Sequence, residues 1–251
     1  MISAVIFDLD GTLVETEELK ALAHARSVIE LRSDVPEEEA AAAYANAFVG
    51  HQRQVVAEGM MQRFGLEDAA RERLDEFGEE EPWRVLVAIR VAIYEKILED
   101  ADLLLEKRYP HNIELLRQMR SEGYPTACAT MSHRVQVDRV LSVLGLEDAF
   151  DVIATMDDVQ RGKPDPEIDL LVAQKMNVPP EEFLVIEDSP AGVRAAVAAG
   201  MMVVAVPTKI TRAAFGKTEI LDARWVVGSP EDLREVVQRR IKAAGGGRVK
   251  A

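Results

Sequence analysis

The amino-acid sequence predicts an α/β protein: a Rossmann-like core of parallel strands with helices on both faces, interrupted by an inserted all-helical domain. Three observations predict it. Short apolar runs rich in branched residues recur along the chain, helical patterns fall between them, and a long strand-free stretch follows the first run. Regular alternation of strand and helix favours a parallel sheet, because each crossover places a helix on a face of the sheet.

Ser3–Phe7 (SAVIF) is an almost continuous apolar run, the pattern of a strand buried on both faces. Comparable runs lie at Thr126–Thr130, Asp151–Ala154, Phe183–Ile186 and Met201–Val206, with a weaker one at Arg224–Val227. Helical periodicity is expected over His111–Ser121, Val135–Leu144, Pro166–Lys175 and Pro190–Ala199. Between about Glu15 and Lys107 the texture changes to Ala, Glu, Arg and Leu. Glu17–Leu31, Pro36–Phe48, Gln54–Phe64 and Trp83–Leu105 read there as helices. The expected division is therefore a core of residues 1–15 and 105–251 with a helical insertion of residues 16–104.

Composition narrows the function. With 48% hydrophobic and 29% charged residues, the 251-residue chain can bury a real core. A formal net charge of −14 repels nucleic acid and anionic membranes, so neither partner is expected. A small anionic substrate remains compatible if local cations or a metal overcome that field. Cys128 is the single cysteine and no apolar run approaches bilayer-spanning length, so a reducing, cytoplasmic location is the expectation. Monomer and homodimer are both compatible.

The chemistry-bearing residues cluster at strand ends, where open α/β sheets bind ligands. Asp8 and Asp10 follow the first strand in FDLDGT, and residues two apart in an extended segment face the same way. Such a carboxylate pair suits a hard cation such as Mg2+, although Asp and Gly also serve plain turns. Gly11 allows a sharp turn, and Thr12 offers a hydroxyl and an amide to an anion. Thr130 and Ser132 end the second core strand, where they could hold a phosphoryl oxygen or simply cap the next helix. Lys163 lies between restricting prolines in RGKPDP and could neutralise a carboxylate and a phosphoryl group together, or could be a solvated loop lysine. Glu187 and Asp188 end FLVIED, ahead of a Ser189-Pro190 helix start; they are candidate metal partners for Asp8, or acids that merely favour the helix start.

Taken in order, the segments Asp8-Leu9-Asp10-Gly11-Thr12, Thr130, Lys163-Pro164 and Glu187-Asp188-Ser189 resemble the four motifs of the haloacid dehalogenase superfamily. The resemblance points to the helical-cap subfamily that contains β-phosphoglucomutase, phosphoglycolate phosphatase and sugar-bisphosphate phosphatases linked to the Calvin cycle. It implies a Mg2+-dependent phosphohydrolase acting on a small phosphorylated metabolite through an aspartyl-phosphate. In that scheme Asp8 is the nucleophile, and Asp10 is the acid and then the base. Thr130 and Lys163 bind the phosphoryl oxygens, with Gly11, Thr12 and Ser132 lining the same site. Mg2+ is held by Asp8, the Asp10 carbonyl and Asp188, with Glu187 direct or through water.

The resemblance makes the helical insertion a cap that excludes water and supplies specificity. It places Gly50 and Arg53 in a substrate-gripping loop, and Arg90 near a second substrate contact; a solvated helix face is the other reading of both arginines. Departures from the mutase pattern are Lys20, where the mutase has His, and His133, where it has Lys. A phosphatase is therefore expected ahead of a phosphomutase or a non-enzymatic phosphate-binding protein.

Overall fold

A computed structural model gives the fold, and it describes residues 1–48, 53–215 and 220–245. The chain divides into two compact units, Met1–Glu15 with the chain from Asp102 on, and Thr16–Ala101.

The first unit is built on a five-stranded sheet in the order β3-β2-β1-β4-β5. Its strands are β1 (Ala4–Phe7), β2 (Thr126–Ala129), β3 (Val152–Ala154), β4 (Phe183–Glu187) and β5 (Met202–Ala205). All the pairings are parallel, and β1 sits centrally, with Phe7 opposite Cys128 on one side and Ile186 on the other. Every residue of β1, β2 and β4 is buried, which is why these strands read as unbroken apolar runs. Phe7 and Phe183 are fully buried, each contributing roughly 2–3 kcal/mol of transfer free energy.

Helices of this unit are α8 (Pro110–Ser121), α9 (Arg134–Leu144), α10 (Glu167–Met176), α11 (Pro190–Ala198), α12 (Arg212–Phe215) and α13 (Leu233–Gly245). α10 packs on β2 and β3, α11 on β4 and β5, α8 on β2, and α13 on β5. Pro110 and Pro190 open their helices at positions that need no N–H, whereas Gly145 and Asn177 end α9 and α10 in the left-handed conformation.

The second unit contains α1 (Thr16–Leu31), α2 (Glu37–Ala47), α3 (Arg53–Phe64), α4 (Glu67–Arg71), α5 (Leu74–Phe77) and α6 (Pro82–Ile97), and it ends at the start of α7 (Ala101–Glu106). α1, α3 and α6 pack together around Val28, Val56, Met60, Leu86 and Ile89. The connections into and out of this insertion are hydrogen-bonded to each other: the Glu15 amide donates to the Lys107 carbonyl at 2.8 Å and the Tyr109 amide to Leu13 at 2.9 Å.

Two segments differ from the sequence reading. The helix expected over Trp83–Leu105 breaks after Ile97, and α7 restarts at Ala101, behind Glu99 and Asp100. Asp competes with the helical backbone through its own side chain and is favoured just ahead of a helix start. The strand expected at Arg224–Val227 reduces to a single bridge between Ala205 and Val226. There Asp222 accepts from the Arg224 amide at 3.0 Å and folds the preceding residues into a tight turn.

Candidate active site

Asp8 follows β1 directly, and its amide donates to the Ile186 carbonyl at 3.0 Å, which continues the pairing with β4. The chain then turns sharply: the Leu13 amide donates to Leu9 and the Gly11 amide to Val14, both at 2.8 Å. Gly11 has φ +75°, and a Cβ there would lie 2.4 Å from a carboxylate oxygen of Asp188. Glycine is therefore required both by the turn and by the close approach of the acid.

Lys163 links the strand ends. Its ammonium donates to Asp8 Oδ1 at 2.8 Å, to Glu187 Oε2 at 2.7 Å and to the Ala129 carbonyl at 2.9 Å, which uses all three protons. The side chains of Lys163, Asp8 and Glu187 are at most 8% exposed. Asp8, Glu187 and Asp188 each offer an oxygen within 4.8 Å of the others. Burial, followed by the charge of Glu187, pushes the Asp8 carboxyl well above its ordinary range; Lys163 pulls the other way.

That donor set fits a divalent cation. It is buried, all-oxygen and richer in acid than one lysine can balance, and a hard cation would favour the ionised form that burial alone opposes. Glu187 is already occupied on both sides, because Oε1 accepts from the Ser189 amide at 3.0 Å and its hydroxyl at 2.8 Å. Asp8 and Asp188 complete the group of three acids whose oxygens lie within 4.8 Å of one another. Ser189 also caps α11 by accepting from the Gly192 amide, and a Cβ on Gly192 would lie 2.1 Å from the Glu187 carboxyl carbon. Packing and capping together fix Glu187.

Asp10 stands apart from this acid cluster. Its Oδ2 accepts from Ser132 Oγ at 2.6 Å and from Thr130 Oγ1 at 3.2 Å. Two hydroxyls from the end of β2 hold the carboxylate in one orientation. Thr130 is itself fixed, donating its amide to Ala154 at 3.1 Å and accepting from the Ser132 amide at 3.2 Å. Thr12 is fully buried; its amide donates to Leu9, its carbonyl accepts from Asn112, and its hydroxyl has no hydrogen-bond partner among the described residues. The structure thus brings Asp8, Lys163, Glu187 and Asp188 into one cluster and joins Thr130, Ser132 and Asp10 in another. Gly11 lies between Asp10 and Thr12 against Asp188.

In the helical unit, Lys20 donates to Glu17 at 2.9 Å, and the Tyr44 hydroxyl donates to the same carboxylate at 3.3 Å. His24 stacks on Tyr44 with ring centres 4.3 Å apart, and the Arg90 guanidinium lies 5.0 Å above the Tyr94 ring. Burial, with the charges of Arg90, Lys20 and Arg53, holds the His24 imidazole neutral, down to about 3. Burial also lowers Arg90, whose Nε has no hydrogen-bond partner among the described residues. Arg53 is exposed but belongs to the same electrostatic neighbourhood, whereas Gly50 lies outside the described residues. Glu17, His24 and Tyr44 were not singled out by sequence. The spacing of Glu17, Lys20 and His24 along one helix face was the available signal.

Comparison with known proteins gives the family of the chain. The family described as haloacid dehalogenase-like hydrolase matches residues 2–200, and the chain belongs to it. A phosphorylated carbohydrates phosphatase from Thermotoga maritima is 33% identical over 198 residues, covering 79% of this chain and 82% of its own. Validoxylamine A 7'-phosphate phosphatase from Streptomyces hygroscopicus subsp. limoneus is 29% identical over 241 residues, covering 90% and 97%. The crystal structure of CbbY from Rhodobacter sphaeroides in complex with xylulose-(1,5)bisphosphate superimposes with a TM-score of 0.67 at 26% identity, covering 93% of this chain and 96% of that one. The chain is a phosphohydrolase, and its fold is that of the helical-cap members of the family.

Proposed function

We propose that the protein is a Mg2+-dependent phosphatase for a small phosphorylated metabolite that carries a second anionic group, working through an aspartyl-phosphate on Asp8. The observation that carries this reading is the separation of two carboxylates by environment: Asp8 against Lys163 and the acid cluster, Asp10 against two hydroxyls. Pairs of titratable groups in unlike surroundings are how one site divides nucleophilic from acid–base work.

In the first half-reaction a carboxylate oxygen of Asp8 attacks phosphorus and the ester P–O bond breaks. Asp10 passes a proton to the departing alkoxide. In the second, Asp10 takes a proton from water as that water attacks phosphorus. The bond from Asp8 to phosphorus then breaks and inorganic phosphate leaves. Lys163, and Thr130 when its hydroxyl swings from Asp10, balance the charge on the phosphoryl oxygens. A divalent ion held by Asp8 and Asp188, with the Asp10 carbonyl and with Glu187 behind, would supply charge neutralisation and alignment. The cationic set of Lys20, Arg53 and Arg90 supports recognition of a second anionic group.

The test is phosphate release from a panel of sugar phosphates and bisphosphates, with Mg2+ and with excess chelator. Asp8→Asn should abolish turnover with the fold intact, and chelation should stop the wild-type enzyme. Full activity in either arm would remove the proposal.

A further inference from the structure

α10 carries a carboxylate that the proposed chemistry does not use. Asp169 is 1% exposed on a helix whose neighbouring positions Ile168, Val172 and Ala173 are core residues. Neither of its oxygens has a hydrogen-bond partner, and it forms no ion pair within 4.0 Å among the described residues. The charges that act on it are Lys163 and Glu187. A buried carboxylate without partners is costly to keep, and an apolar residue there would be the stable choice. Its one favourable interaction is the field of Lys163, which has already given its three protons to Asp8, Glu187 and Ala129.

We infer that Asp169 is a positioning residue of the phosphoryl site: its buried charge, acting through Lys163 without touching substrate or ion, offsets the ammonium and so favours the divalent cation over the anion. This rests on the reading of the site as a Mg2+ and phosphoryl site. Removing one negative charge from the field of Lys163 leaves that lysine less compensated. The pocket then holds a cation less tightly and an anion more tightly. A purely structural role would weaken both together, so the opposite signs are diagnostic.

The experiment is calorimetry on the full chain at pH 8, where Asp169, pushed up to about 6 by burial, carries its charge. The wild type, Asp169→Asn and Asp169→Ala are titrated with Mg2+ alone, and then with inorganic phosphate at saturating Mg2+. In both variants the Kd for Mg2+ should rise about three- to tenfold and the Kd for phosphate should fall by about the same factor, as expected for one charge at moderate range in a partly screened interior. Affinities that move in the same direction, or do not move, would overturn the inference while leaving the phosphatase reading in place. Wild-type protein that binds neither Mg2+ nor phosphate would instead sink the phosphatase reading, and this inference with it. If Asp169→Asn does not fold, Asp169→Ala carries the test; loss of fold in both would make the carboxylate structural and end the proposal.

Discussion

The sheet unit and the helical unit each gather charged side chains, and the two have opposite character: buried acids around one lysine in the first, half-buried to exposed cations in the second. At the strand ends Asp8 and Glu187 share Lys163 with Asp188 beside them, Asp10 is held by Thr130 and Ser132, and the charge of Lys163 also reaches Asp169. In the helical insertion Lys20, Arg53 and Arg90 surround a neutral His24, with Glu17 as their acid. An excess of buried carboxylate is stable only beside a cation, and clustered guanidinium and ammonium groups attract an anion. On the proposed reading one region would take a metal ion and the other an anionic group. Such a distribution would let a chain of net charge −14 accept an anionic substrate.

The comparison breaks most severely if Lys163 is dispensable. Lys163→Met should remove activity and cost about 3–5 kcal/mol of stability, because it strands two buried carboxylates. Chemical denaturation reads this directly, and a variant as stable as the wild type would show that the acids do not depend on the lysine.

The next test is pH dependence, which should have opposite signs in the two regions. Burial raises Asp169 from 3.8 to about 6. Between those values the folded state binds more protons than the unfolded state, so its contribution to stability falls as pH rises through the window. The effect is on the order of 3 kcal/mol when complete. His24 is lowered from 6.5 to about 3, so the unfolded state binds more protons there and stability falls as pH drops through that window. Thermal melts should show Asp169→Asn gaining on the wild type as pH rises to 6. They should show His24→Phe, which keeps a ring against Tyr44, gaining as pH falls below 6.5. Parallel curves for either pair would remove the assigned environment.

Metal protection follows. Mg2+ at a hundredfold excess over its Kd should stabilise the wild type by about 3 kcal/mol and Asp188→Asn much less. Equal protection would move the ion away from Asp188. The smallest effect belongs to the helical unit: Arg53→Ala should raise KM for a doubly anionic substrate by about fivefold and leave a singly anionic one nearly unchanged, since one exposed charge contributes on the order of 1 kcal/mol. Equal effects on both substrates would return Arg53 to a solvated helix face.

The sheet was legible because β1, β2 and β4 are buried on both faces, which writes them as plain apolar runs. Its flank was not: Val226 meets Ala205 in a single bridge, and a local Asp222 turn outweighs the branched residues around it. α4 and α5 escaped notice because four or five residues carry no measurable period. At the strand ends, residue type and order pointed to Asp8, Asp10, Thr130, Lys163, Glu187 and Asp188. Their division into a metal-ready cluster and a hydroxyl-held carboxylate is a matter of distances that a linear sequence does not hold. Asp169 was visible only as an acid in an apolar stripe, and its missing partners are a property of the packed interior.

The most direct measurement is a single turnover with a substrate labelled in the phosphoryl group, quenched in acid and digested. The account predicts label on the peptide that contains Asp8 in the wild type, and none in Asp8→Asn. Complete turnover with no labelled protein at any time, or label confined to another peptide, would contradict it.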